Sequence, residues 1–298
     1  MARRSPVKDG LRLVARRGGA ARPEEPDHPA RWARPHVRTV AITGGRGGVG
    51  RSHLAANLAV ALGARGARVL LVDADLAAGS LDLLLGVHPR WDLHHWLCGE
   101  RTLEEIVLAA APGVRLVPTG TAAPELTELD DYRRECLLRG LGQLEAESDL
   151  ILLDLPSGLG RQGTELALAA DEVVVLTTPE MPAFADAYAL VKLLAARGIA
   201  HPPRLVVSMA NGPEEAEETA QRIRVVARRF LQLELRTWGV VPLDSAVPRA
   251  ARLQQPVVTA FPDAPAAAAY RALAADLWSP SPDPVPADRP EVPLRLEA

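Results

Sequence analysis

At 298 residues, with 48% hydrophobic but only 4% aromatic side chains, the chain has material for one large core packed mainly from aliphatic groups. Its two cysteines, Cys98 and Cys136, form no C-x-x-C arrangement, which argues against a disulfide scaffold, a zinc site or a cysteine-ligated cluster and fits a reducing cytoplasm. The net charge of −3 is unevenly placed: residues 1–37 hold nine Arg/Lys against four Asp/Glu, net +5, leaving 25 basic against 33 acidic residues, net −8, in the rest.

Residues 1–37, rich in Arg, Pro, Gly and Ala with little apolar periodicity, are predicted to be a disordered basic tail, read as a solvated arm before a nucleic-acid arm. From residue 38 onward strand-like and helix-like segments alternate. Short, nearly continuous apolar runs at 38–43, 67–73, 113–119, 149–155, 171–178, 204–209 and 236–242 have the pattern of strands buried on both faces. Alanine- and leucine-rich stretches at 52–64, 131–147, 183–197 and 214–233 have helical spacing. The alternation predicts an α/β fold, a mostly parallel sheet flanked by helices on both faces, in a single domain over 38–278. Residues 279–298 carry six prolines and are predicted to be an extended, disordered tail. No apolar run approaches the roughly 20 residues of a membrane helix, and the basic N-terminus lacks a signal-like apolar segment, so neither export nor a membrane span is expected.

The first strand and helix are joined by "GGRGGVGRS", in which Gly45 to Ser52 fits G-x-x-x-x-G-K-[ST] at every position except the lysine, where Arg51 stands. Such a loop presents a row of backbone N–H groups at a helix N-terminus and binds phosphate. A bare strand–helix turn would need one or two glycines, not Gly45, Gly47, Gly48 and Gly50 between two cations. Ser52 is the residue whose hydroxyl would meet Mg²⁺. Asp73, Asp75 and Asp154 end later strands, where open α/β sheets place ligands. Any one carboxylate there is unremarkable, but the combination with the loop is not.

The order RGGVGRS, DADL with SLDLLLG, DLPSG, TTPE and GVVPLDSAVPRAARLQQPVV resembles the MinD/ParA group of P-loop ATPases over residues 38 to about 277. Within it, DAYALVKLL, RLVVSMANGPEE and the segment from AVPRAARL onward look most like the flagellar-number regulators FlhG and FleN. The resemblance implies a P-loop NTPase fold with a deviant Walker A loop, ATP and Mg²⁺ as cofactors, and a homodimer formed when ATP is bound. It makes Gly45, Arg46, Gly47, Gly48, Val49, Gly50, Arg51, Ser52 and His53 the nucleotide loop, with Arg46 reaching the partner's phosphates and Arg51 in the place of the P-loop lysine. It assigns Asp75 to the attacking water, Ser52, Asp75 and Asp154 to the metal, and Ser208, Asn211 and Pro242 to the neighbourhood of the base. Ser208 stands where an asparagine is expected, which leaves the base less defined than the phosphates.

Arginine keeps the lysine's charge but is longer, planar and forked, so nucleotide binding is expected to survive better than turnover. The implied function is a cytoplasmic switch, recruited to a pole, that governs the number or placement of a polar structure such as flagella. Its partner would be an SRP-type GTPase or a transcriptional regulator. Two alternatives stay open: a non-hydrolysing scaffold that keeps the fold, and a DNA-associated positioning ATPase using the basic tail in weak, salt-dependent contacts. No C-terminal amphipathic membrane helix is expected. His88, His94, His95 and Cys98 read as an exposed patch and not a metal site, with Trp91 and Trp96 packing or meeting a partner.

Overall fold

The computed structural model describes residues 37–120 and 129–279, so both predicted tails lie almost wholly outside the described residues. Eight strands form one sheet: β1 (Thr39–Gly44), β2 (Val69–Asp73), β3 (Leu108–Ala111), β4 (Val114–Val117), β5 (Leu150–Asp154), β6 (Glu172–Thr177), β7 (Arg204–Ala210) and β8 (Arg236–Pro242), in the order β3-β4-β2-β5-β1-β6-β7-β8. All pairings are parallel except β3 with β4. Seven strands coincide with the predicted runs. β3, "LAAA", was not anticipated, because alanine carries little strand preference and the segment gains its conformation only as an antiparallel edge folded back on β4.

Parallel strands require covering layers on both faces, and the side chains divide accordingly. Ala41, Leu70, Val72, Ile151, Leu153, Val173, Val175, Leu205 and Val207 point into one core. That core is closed by α5 (Asp131–Gln143), α6 (Arg161–Ala169), α7 (Met181–Ala196) and α8 (Pro213–Leu231). The alternate residues Val40, Ile42, Val69, Leu71, Leu150, Leu152, Val174, Leu176 and Val206 enter a second core under α1 (Arg51–Gly63), α10 (Val257–Ala260) and α11 (Pro265–Trp278). This two-sided burial explains the unbroken apolar character of the strands. Three short helices, α2 (Leu81–Leu85), α3 (Leu93–Leu97) and α4 (Leu103–Ile106), follow β2, and α9 (Ala246–Arg252) follows β8.

Helix boundaries follow local chemistry. Thr102 and Glu105 form a reciprocal capping box on α4, with Glu105 N donating to Thr102 Oγ1 at 3.3 Å and Thr102 N to Glu105 Oε2 at 2.8 Å. Asp130 caps α5 by accepting from Arg133 N at 2.7 Å. Helices α7, α8 and α11 carry proline in the first turn, where its missing N–H costs nothing.

The strand order places the site. After β1 the chain crosses beyond β5 to β2, and later strands return through β5 and continue on the other side of β1 as β6. The connections diverge at the carboxyl end of β1, the position at which open α/β sheets form a crevice. The loop Gly45–Gly50 leaves β1 there, flanked by the ends of β5 and β6.

Candidate functional site

Two glycines have geometric reasons. Gly50 lies at φ +92° immediately before α1, and a Cβ there would stand 3.2 Å from Ser208 Oγ. At Gly45 the backbone of α7 comes so close that a Cβ would lie 2.1 Å from the carbonyl carbon of Asp186. Gly47 and Gly48 face the other way: a Cβ on Gly48 would meet nothing within 4 Å. The loop is therefore packed on its flanks and open over its crown, as an anion-binding turn must be. Val49 is buried against the core.

The acidic residues converge beneath this loop. Asp73 and Asp154 are register partners on neighbouring strands and are both buried. Burial first, and then the Asp154 charge, push the Asp73 carboxyl up to about 7, even though backbone N–H groups of Ser80, Leu81 and Asp75 donate to it at 2.9, 3.1 and 3.3 Å. Asp73 thus fastens the loop entering α2. Burial likewise lifts Asp154 to about 6, against a hydrogen bond from the Ser52 hydroxyl and the nearby Arg51 charge. Asp154 Oδ1 is buried with no hydrogen-bond partner. A buried carboxylate oxygen without a donor, beside a serine hydroxyl and a second carboxylate, fits a hydrated hard cation such as Mg²⁺. Ser52 and Asp154 are the residues that would hold it, with Asp75 nearby on the connection leaving β2.

Arg51 has its own engagement. Its Nη1 donates to the Leu155 carbonyl, and its Nη2 lies 3.5 Å from Asp75 Oδ2. The other Asp75 oxygen accepts from Ala78 N at 3.2 Å. Arg46 is more exposed, with Nε 3.9 Å from Asp186 Oδ2 on the same chain's α7. His53 is half-buried, and that burial holds its imidazole below the ordinary range.

Of the residues expected near the base, Ser208 is buried against the loop at Gly50 and Pro242 ends β8 in register with Ala210. Asn211 is exposed, and its side-chain amide is committed to Glu215, Nδ2 to Oε2 at 3.1 Å. Glu215, in the first turn of α8, also accepts from Asn211 N at 2.6 Å.

Of the segment expected as an exposed patch, His88 and Cys98 are exposed, whereas His94 and His95 are half-buried. Asp92 caps α3 and binds His95 Nδ1 at 2.7 Å, while Trp91 and Trp96 pack against the core. Sequence reasoning missed Leu155, whose carbonyl receives Arg51. It also missed Gln162, which donates to the Ala74 carbonyl and accepts from Leu129 N, each at 3.3 Å. Neither leaves a signal in the chain, since a backbone carbonyl has no residue identity and Gln162 acts across 88 positions.

A family model described as "Cellulose biosynthesis protein BcsQ" matches residues 37–278. The antiactivator FleN of Pseudomonas aeruginosa is 34% identical over 254 residues, covering 85% of this chain and 89% of its own. The flagellum site-determining protein YlxH of Helicobacter pylori is 33% identical over 73% of this chain and 74% of its own. The structure of the septum site-determining protein MinD from Pyrococcus horikoshii, complexed with Mg-ADP, superposes with a TM-score of 0.68 at 27% identity, covering 82% of this chain and 96% of that one. With the divergent crossover at β1, the phosphate loop and the paired carboxylates already in place, these likenesses establish that the chain belongs to the BcsQ family within the MinD/ParA group of P-loop ATPases.

Proposed function

We propose that this protein is a nucleotide-dependent switch that binds ATP with Mg²⁺ at the Gly45–Ser52 loop, dimerises in that state, and governs the number or placement of flagella. The observation that carries the reading is the convergence of Ser52 and the orphaned Asp154 oxygen beneath an open glycine crown. The likeness to FleN and YlxH supports the flagellar assignment, and the Mg-ADP of the MinD relative supports the ligand. Bound Mg²⁺ would neutralise charge between the phosphates and the carboxylates.

The chain's own residues divide the work. Backbone N–H groups of Gly47 and Gly48 would receive the phosphates, Ser52 and Asp154 would hold the cation, and Arg51 would supply a positive charge to the nucleotide. Asp75, on the connection leaving β2, would hold a water in line with the terminal phosphate once Arg51 turns to the nucleotide. Arg46 would leave Asp186 to reach a second copy. An exposed pair of this length is weak, so its exchange for a phosphate contact is favourable. A partner protein at a cell pole would read the dimer.

Light scattering of the full chain tests the reading: monomer without nucleotide or with ADP, dimer with Mg²⁺ and a slowly hydrolysed ATP analogue. A mass that ignores nucleotide would sink it. A non-hydrolysing scaffold is the second reading, favoured by the engagement of Arg51 with the carboxylate that would otherwise face water. The DNA-arm alternative concerns residues outside those described.

A further inference from the structure

We infer that Arg51 is a positioning residue that latches the two loops beneath the glycine crown together in the nucleotide-free protein, so that an incoming nucleotide must draw its guanidinium off Asp75. One nitrogen donates to the carbonyl of Leu155, in the connection from β5 to α6, and the other faces Asp75 in the connection from β2 to α2. These connections leave neighbouring strands, with Asp73 and Asp154 in register. A side chain rooted in the phosphate loop therefore clasps both.

The clasp is sheltered. The Arg51 and Asp75 side chains are only 10% and 11% exposed, so solvent and salt screen their attraction little. Each end is tied to further structure. Leu155 N donates to the Ile42 carbonyl of β1 at 3.0 Å, and Asp75 Oδ1 accepts from Ala78 N at 3.2 Å. The neighbouring Ala74 carbonyl accepts from Gln162 on α6. Arginine suits this role and lysine does not, because a guanidinium offers separate nitrogens on a rigid plane whereas an ammonium is a single point on a shorter stem. The same charge cannot serve Asp75 and the phosphates with full strength at once, and it cannot be lost by deprotonation.

This inference rests on the switch reading only for the nucleotide half of its consequence, and the experiment separates the two. Hydrogen–deuterium exchange is measured on the full-length protein free of nucleotide and divalent cation, in peptides covering 74–81 and 154–160, for wild type, Arg51→Lys and Asp75→Asn. The latch predicts exchange about tenfold faster in both segments for Arg51→Lys, and in 74–81 for Asp75→Asn, with the rest of the fold unchanged. ADP affinity is then titrated in EDTA, which takes metal ligation out of the readout. Asp75→Asn should tighten ADP about fivefold when residue 51 is arginine and leave it unchanged when residue 51 is lysine. A purely structural arginine would give no such dependence on the partner. Unchanged exchange in both segments of a folded Arg51→Lys protein overturns the latch, as does an equal effect of Asp75→Asn in both backgrounds. If Arg51→Lys fails to fold, the Asp75→Asn exchange decides. Faster exchange with no ADP binding by any variant upholds the latch and removes the switch reading.

Discussion

Replacing Asp154 by asparagine should stabilise the metal-free protein at pH 8 and reduce its pH dependence, leaving the part that burial alone imposes on Asp73. Asp154 and Asp73 are buried register partners whose carboxyls are raised from 3.8 to about 6 and about 7. Because the folded values exceed the unfolded ones, the native state holds protons that the unfolded chain releases. The associated stability is complete below about pH 4 and is lost as pH rises through 6 and 7. At pH 8 both carboxylates are charged in a nearly solvent-free layer, and with about 1.4 kcal/mol per tenfold change in proton affinity the Asp154 share is on the order of 2–3 kcal/mol. Asparagine keeps the shape, removes the charge and relieves Asp73 as well. The expected gain in melting temperature is roughly 5–10 °C for a domain of this size. Urea or thermal unfolding in EDTA at pH 4.5 and pH 8, followed by circular dichroism, measures it. Wild type should lose stability between those values and Asp154→Asn should lose less, the remainder coming from buried Asp73. Equal pH profiles for the two proteins, or a variant less stable than wild type at pH 8, would refute the assignment of the cost to this carboxylate pair.

Other perturbations report on separate parts of the structure. Arg51→Lys, alone and with Arg46→Lys, should raise single-turnover ATP hydrolysis, since misplacement of reacting groups by about 1 Å can cost roughly 100-fold, and Asp75→Ala should abolish the gain; brisk wild-type turnover that falls on Arg51→Lys would mean the loop has adapted to arginine. Gly45→Ala would set a Cβ 2.1 Å from the Asp186 carbonyl carbon, so α7 must move away. A loss of about 2 kcal/mol or more is expected from overpacking of this kind, read as a lower urea midpoint. Arg134, 1% exposed and bound to Asp131 and Glu165 at 2.6 Å, joins α5 to α6, and Arg134→Met should cost about 1–3 kcal/mol, less than for an abandoned buried charge because Glu165 keeps Arg161 at 2.6 Å and Arg197 at 3.6 Å. Wild-type stability in that variant would show the ion cluster to be dispensable.

Much of the site was readable in the chain because its parts are local. The β1–loop–α1 unit needs only a buried strand, glycines free to turn and a helix start within a few residues, and Asp73, Asp75 and Asp154 stand where apolar runs end. The long helices α1, α5, α7 and α8 were equally legible from spacing, with boundaries displaced by only a few residues. What lay beyond the sequence depends on which strands become neighbours. The β3 edge exists only against β4, and the orphaned Asp154 oxygen acquires its meaning beside Ser52. The close fit of Gly45 to α7 and the reach of Arg51 to Leu155 and Asp75 join elements far apart in sequence. The engagement of Asn211 with Glu215 of its own helix is local, four positions apart, yet only the fold shows that it is made. Periodicity and turn chemistry act over a few residues and can be read in order along the chain, whereas desolvation, close packing and charge pairing depend on distances that only the folded sheet creates.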